Sequence, residues 1–256
     1  MLAIETHGLT RLFEGRPAVQ DLSLAVPEGA FYGFLGPNGA GKSTTIRMLT
    51  GLLAPTAGVS RVLGLDVASS AIEVKRQLGV VPDGLALFER LSGAEQLRIH
   101  GQLYGLERRE AARRADELLV ALELQGEAGK LVSEYSHGMK KKLALGCALI
   151  HAPRVLFLDE PFEGIDALAV SGIRRMLQDL VARGRMTIFL TSHVLEVVER
   201  LVTHVGIIRE GRLAAQGTLE EVRGAASLEE VFIRTVGEER VVDRTLSWLG
   251  ERPAGA

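Results

Sequence analysis

Residues 31–45 read FYGFLGPNGAGKSTT, and within them Gly36, Gly41, Lys42 and Ser43 satisfy G-x-x-x-x-G-K-[ST]. A polyphosphate needs many N–H donors converging on it, so the backbone must curl tightly, and glycines permit both the curl and the close approach. Gly36, Pro37, Asn38, Gly39, Ala40, Gly41, Lys42, Ser43 and Thr44 are therefore candidate nucleotide contacts. Lys42 brings positive charge for the β- and γ-phosphates, and the Ser43 hydroxyl can hold Mg²⁺. A helix opening here would turn its unpaired N–H groups and positive dipole end to the same phosphates. The flanks suit it. AFYGFLG is an apolar run of buried-strand type, and Ile46, Leu49 and Leu53 recur at helical spacing.

The 256 residues suffice for one large α/β domain, or for a core with a smaller subdomain. A net charge of −2 gives no electrostatic case for nucleic acid as a partner. No run of eighteen apolar residues occurs, and MLAIETHGLT lacks the basic and apolar regions of a secretory signal, so the chain is expected in the cytoplasm. The single cysteine, Cys147, lies in LALGCALI and reads as a small buried hydrophobe.

Residues 2–35 read as strands and turns, with further short strands at 58–63 and 78–81. From about 85 to 153 strand patterning stops. Ser92 to Glu95 form a capping box opening a helix with Leu97, Gly101 and Tyr104 on one face. A second helix carries Ala111, Ala115, Leu118, Leu119 and Leu122 as a stripe. This predicts a helical subdomain inserted into the core. RVLFLD (154–159) and MTIFLTSH (186–193) are buried strands around a helix with Val170, Ile173, Leu177, Leu180 and Val181 inward, stopped by Gly184. Alternating strands and helices imply a parallel sheet. VGIIREGRLAAQG reads as a hairpin turning at Glu210–Gly211, and Val242, Leu246 and Leu249 form a minor stripe in the tail.

In a parallel sheet, ligand chemistry collects at the carboxyl ends of the strands. FYGFLG delivers the glycine loop there, VLFLD delivers Asp159 and Glu160, and TIFLTS delivers His193. Asp159 is placed as the Mg²⁺-side carboxylate, and Glu160 can accept a proton from an attacking water. His193 can bond the γ-phosphate through its imidazole. Phe13, in the polar setting RLFEGR, either stacks on a nucleobase or packs in its strand. Gly84 to Phe88 place apolar side chains in a loop beside Asp83, either as core or as a docking groove. Lys140 to Lys142 read as a solvated helix face, with a phosphate role as the alternative.

At these residues the chain resembles the nucleotide-binding ATPase subunit of an ATP-binding cassette (ABC) transporter, over essentially residues 2–235. Gly36 to Thr44 is similar to the family's Walker A, VLFLDEP (155–161) to Walker B, and Thr191-Ser192-His193 to the switch histidine. Tyr135-Ser136-His137-Gly138-Met139 resembles the LSGGQ signature, keeping the serine and second glycine. Gly164-Ile165-Asp166 resembles the D-loop, and Phe13 falls where the family places its adenine-stacking aromatic. His137 and Met139 replace a glycine and a glutamine, Phe162-Glu163 a small polar pair, and Asp83 stands at the Q-loop glutamine. With a shorter, charged side chain, contact of Asp83 with Mg²⁺ is the site this departure puts in question.

The resemblance implies an α/β P-loop NTPase: an ATPase domain over 1–235 with a parallel sheet core, an N-terminal antiparallel β part and the inserted helices, followed by a short extension over 236–256. It implies ATP and Mg²⁺, a second ATPase subunit, and a separate integral membrane permease that holds the chain at the inner face of the membrane. Ser136, Gly138 and Met139 would meet the ATP held by the partner subunit. The signature variant and short tail resemble ABC-2 exporters. The alternative is an ATP-gated assembly factor acting on nucleic acid or ribosomes; such relatives carry two cassettes or a long coiled coil, and neither is present.

Overall fold

The structure is a computed structural model that describes residues 1–165, 167–182, 184 and 186–237. The chain opens with β1 (Leu2–Phe13), β2 (Arg16–Leu22) and β3 (Ala25–Pro27), then β4 (Phe31–Leu35) and α1 (Lys42–Leu49). It continues through β5 (Ala57–Val62), β6 (Leu65–Asp66), α2 (Ala71–Arg76) and β7 (Leu78–Val81). Three helices follow with no named strand between them: α3 (Gly93–Leu103), α4 (Arg108–Ala121) and α5 (His137–Leu149). Then come β8 (Val155–Asp159), α6 (Ala167–Ala182), β9 (Thr187–Ser192), α7 (Leu195–Glu199), β10 (His204–Arg209), β11 (Arg212–Thr218), α8 (Leu219–Arg223) and α9 (Leu228–Val236).

Two sheets result. In the first, β1 pairs antiparallel with β2, β3 and β5, and β5 with β6. The second has the order β11-β10-β4-β9-β8-β7, parallel except for β11. Every residue of β4, β8 and β9 is buried, as expected of strands covered on both faces. The β10–β11 hairpin turns at Glu210 and Gly211, both with positive φ, the twist a two-residue turn between antiparallel strands requires.

At eight residues α1 is too short to be stable alone, since isolated helices below about 12 residues are marginal in water. Burial of Ile46, Met48 and Leu49 holds it, at about 1.5–3 kcal/mol per large apolar side chain. Leu53, expected on that helix, lies outside it. The helix stops because Gly51 takes the left-handed conformation, and the N–H groups of Gly51 and Leu52 turn back to the Met48 and Arg47 carbonyls at 3.2 and 2.8 Å. Leu53 packs half-buried beside Leu49's cluster instead.

The predicted capping box at Ser92 and Glu95 is present in full. Leu97 and Gly101 are buried on α3, while Tyr104 is partly exposed and stacks on His151 at 3.6 Å. On α4 the stripe of Ala111, Ala115 and Leu119 is buried together with Leu122, which caps the helix end, and Leu118 lies at its edge. Ile173 and Leu177 of α6 are buried, with Val170, Leu180 and Val181 half-buried beside them. Cys147 is buried as expected, and burial pushes its thiol up to about 12, which leaves it unreactive. Among the described residues no helix is long and apolar enough to cross a membrane. The predicted stripe of Val242, Leu246 and Leu249 lies outside the described residues.

Candidate functional site: the glycine-loop cleft

Sheet register brings the site together. β4 lies beside β9 with Leu35 opposite Ser192, β9 beside β8 with Thr191 opposite Asp159, and β8 beside β7 with Leu158 opposite Val81. The segments leaving those strands therefore emerge side by side at one sheet edge: the glycine loop, His193, Glu160 and Asp83. They enclose a cleft of 430 Å³ lined by Asn38, Gly39, Gly41, Lys42, Ser43, Thr44, Asp83, Glu160, Glu163 and His193, with Ala18 from β2. A larger cleft of 590 Å³ between α4, α5 and α6 contains none of these groups.

Gly41 caps α1 with φ of 106°, and a Cβ built there would stand 2.5 Å from the Ala18 carbonyl oxygen. Gly36 is as tightly backed, by the Ile208 carbonyl at 2.5 Å. The loop is thus pressed against β2 and β10 with no room for side chains on its rear. Lys42 is buried, and its ammonium donates to the carbonyl oxygens of Gly36 at 2.7 Å and Pro37 at 3.3 Å. Gly41→Ala combines a strained torsion with a backbone clash, so it is expected to weaken ATP binding by about tenfold or more, readable by titration with a fluorescent ATP analogue. Unchanged affinity would show that the loop's curl is not needed for binding.

Glu160 leaves β8 with φ of 49°, uncommon for a residue with a side chain and costing on the order of 1–3 kcal/mol. It is anchored throughout. Its N–H donates to the carbonyl and hydroxyl oxygens of Thr191, both at 3.2 Å. Its carboxylate accepts the His193 N–H at 3.2 Å and lies 3.0 Å from His193 Nδ1, with Lys42 Nζ 3.7 Å away. Asp159, 7% exposed, accepts a 2.6 Å hydrogen bond from the Thr191 hydroxyl. Ser43 and Asp83 line the cleft with oxygen donors and Asp159 stands at the end of β8, donor chemistry that suits a hard divalent cation.

Other expected site residues lie elsewhere. Phe13 sits 44% exposed at the end of β1, with the Arg11 guanidinium 4.7 Å from its ring centre, and does not line the cleft. Ser136 is exposed and caps α5, its hydroxyl accepting the Met139 N–H at 3.3 Å. Gly138 lies inside the first turn of that helix, because the serine cap starts α5 at His137. Met139 is half-buried against the core. None of the three borders the chain's own cleft. Asp166 lies outside the described residues.

The lysine run departs from a solvated face. Lys140 and Lys142 pair with Glu89 and Glu123, but Lys141 is buried and donates to the Glu160 carbonyl at 2.9 Å. The apolar loop divides: Leu85 and Leu87 pack against the core, while Phe88 is 56% exposed. Sequence reading missed the hydroxyl of Thr191, whose partner is fixed by register rather than by any local pattern.

A family model described as ABC transporter matches residues 19–163, more than half of the chain. The chain belongs to the ABC transporter family. It is an ATP-binding subunit and ATPase of that family. It is 40% identical over 219 residues to the bacitracin transport ATP-binding protein BcrA of Bacillus licheniformis, covering 86% of this chain and 69% of the relative. It is equally identical over 232 residues to the daunorubicin/doxorubicin resistance ATP-binding protein DrrA of Streptomyces peucetius, covering 91% and 70%. A solved ATP binding subunit of ABC transporter superposes with a TM-score of 0.85 at 31% identity, over 92% of this chain and 99% of that one. The dimeric ATP-binding cassette MJ0796, bound to ADP and Pi, shares the fold with a TM-score of 0.78 at 21% identity, over 84% and 98%.

Proposed function

We propose that this chain hydrolyses ATP between two cassette subunits and drives export through a separate membrane permease. The observation that carries the catalytic part is the cleft: loop, Lys42, Glu160 and His193 stand together at one sheet edge. The loop N–H groups and the start of α1 bind phosphate. Mg²⁺ held by Ser43 and Asp159, with Asp83 beside them, would supply charge neutralisation across the β- and γ-phosphates. Glu160 accepts the proton of the attacking water, and His193, bonded to it, orients the carboxylate and faces the γ-phosphate. Arg11 covers one face of Phe13, leaving a stacking role for the other face.

Ser136, Gly138 and Met139 open α5 away from their own cleft, so the start of this helix, with its positive dipole end, serves the nucleotide of a second subunit. The MJ0796 cassette of the same fold is dimeric, which supports that pairing. Two relatives named for bacitracin transport and for drug resistance favour export, because an ATP-driven transporter protects a cell by removing the compound. Residues 1–235 form the ATPase domain, with the helices of about 85–153 as its inserted subdomain. The chain works at the cytoplasmic face, held there by the permease.

Phe88 is the docking residue beside the cleft, since its ring is exposed where Leu85 and Leu87 are packed. Phe88→Glu is expected to abolish co-purification with the permease while ATPase activity of the isolated chain stays within about twofold, as for surface changes generally. Retained co-purification would move the docking surface elsewhere.

A further inference from the structure

Of the three adjacent lysines, Lys141 alone turns inward, to 4% exposure. A buried ammonium is costly, and burial lowers its pKa while Glu163, Asp83 and Glu160 pull the other way. Its Nζ donates at 2.9 Å to the carbonyl oxygen of Glu160, which also receives the Glu163 N–H at 3.4 Å. Glu160 has a left-handed φ of 49°, so its backbone needs support from its surroundings. Thr191 holds its N–H and His193 its carboxylate. Lys141 holds the remaining side. Fixing that carbonyl fixes the torsions at residue 160 and hence the direction in which its side chain leaves the backbone.

A second contact joins the same elements. His137, the first residue of α5, lies over Gly164, where an added Cβ would come 3.1 Å from the imidazole Cδ2. The opening turns of α5 thus grip the segment after β8 at both ends. We infer that Lys141 is a positioning residue for ATP hydrolysis, its ammonium clamping the Glu160 carbonyl so that the carboxylate points at the attacking water. The inference rests on the reading of Glu160 as proton acceptor. It also joins Ser136 and Glu160 of one chain through a single helix.

The test is ATP turnover, with KM and ATP affinity, by the full chain carrying K141M, K141R, E160Q or K141M with E160Q. K141M preserves stem length and leaves the Glu160 carbonyl its bond from Glu163. It is expected to lower kcat about tenfold or more with KM and ATP affinity within about threefold, because misaimed catalytic groups cost rate rather than binding. K141R, which keeps the donor, is expected to restore kcat to within about threefold of wild type. In the E160Q background K141M should remove no more than about twofold of the residual single-turnover rate, since its target is already disabled. If K141M fails to fold, K141L, which also lacks a donor, takes its place with the same expectations. Wild-type kcat in K141M beside an inactive E160Q would overturn the Lys141 role alone. An equal fractional loss in both backgrounds would overturn it too, showing that Lys141 acts independently of Glu160. An E160Q enzyme that still turns over would instead remove the reading of Glu160, and the clamp with it.

Discussion

Glu160→Gln is expected to bind ATP and fail to hydrolyse it. Glutamine keeps the shape of the side chain and an oxygen that can still accept the His193 N–H, 3.2 Å from the carboxylate in the wild type. It cannot take a proton. Losing general-base catalysis costs about 10²–10⁴ in rate, which is roughly 2.7–5.5 kcal/mol on the barrier. Binding should change little, because the loop N–H groups and Lys42, to which the proposed function assigns the phosphates, are untouched. Trapped ATP then has a structural consequence. A ligand bound only by the paired form stabilises it by about 2.7 kcal/mol at a hundred times its Kd. Gel filtration with and without ATP reads this as a shift from one chain to two. Hydrolysis near the wild-type rate would sink the role given to Glu160, and a silent elution profile would sink ATP-dependent pairing.

What the sequence revealed depended on how local each signal was. Strand, glycine loop and helix are contiguous between Phe31 and Leu49, so the phosphate site could be read directly. Asp159 and Glu160 stood out because carboxylates ending an apolar run mark the exit of a buried strand. Thr191 did not stand out. Its hydroxyl meets Asp159 only because β8 and β9 pair in one register, 32 residues apart in the chain. Leu53 continued a helical spacing that Gly51 had already ended. Lys141 was legible in principle and was not read. It precedes the buried Ala144 and Leu145 by three and four residues and Ala148 by seven, a spacing that shares one helix face. Three adjacent lysines suggested a surface, and the phase of the helix decided otherwise.

Mixing two inactive variants, Lys42→Ala and Ser136→Arg, is expected to restore ATPase activity that neither has alone. Lys42 is buried in the cleft of its own chain, while Ser136 caps α5 at an exposed position that does not border that cleft. One ATP needs charge neutralised on both sides, and a helix start can supply it from each. A symmetric pair of chains then builds each site from the Lys42, Asp159, Glu160 and His193 of one and the Ser136 and Gly138 of the other, related by a two-fold axis. Either variant paired with itself has both sites broken. In a mixed pair one site collects both lesions, and the other takes Lys42 from the second chain and Ser136 from the first, so it is whole. With free and equal exchange, roughly a quarter of all sites are intact, and activity should approach that share of wild type. Strong coupling between the sites would suppress the rescue without altering the architecture, so crosslinking supplies the second readout. Cysteines placed at Ser136 in one chain and beside Lys42 in the other should join in an ATP-dependent manner. Mixed pairs that form yet neither regain activity nor crosslink would show that each chain completes its own site, and α5 would need another role.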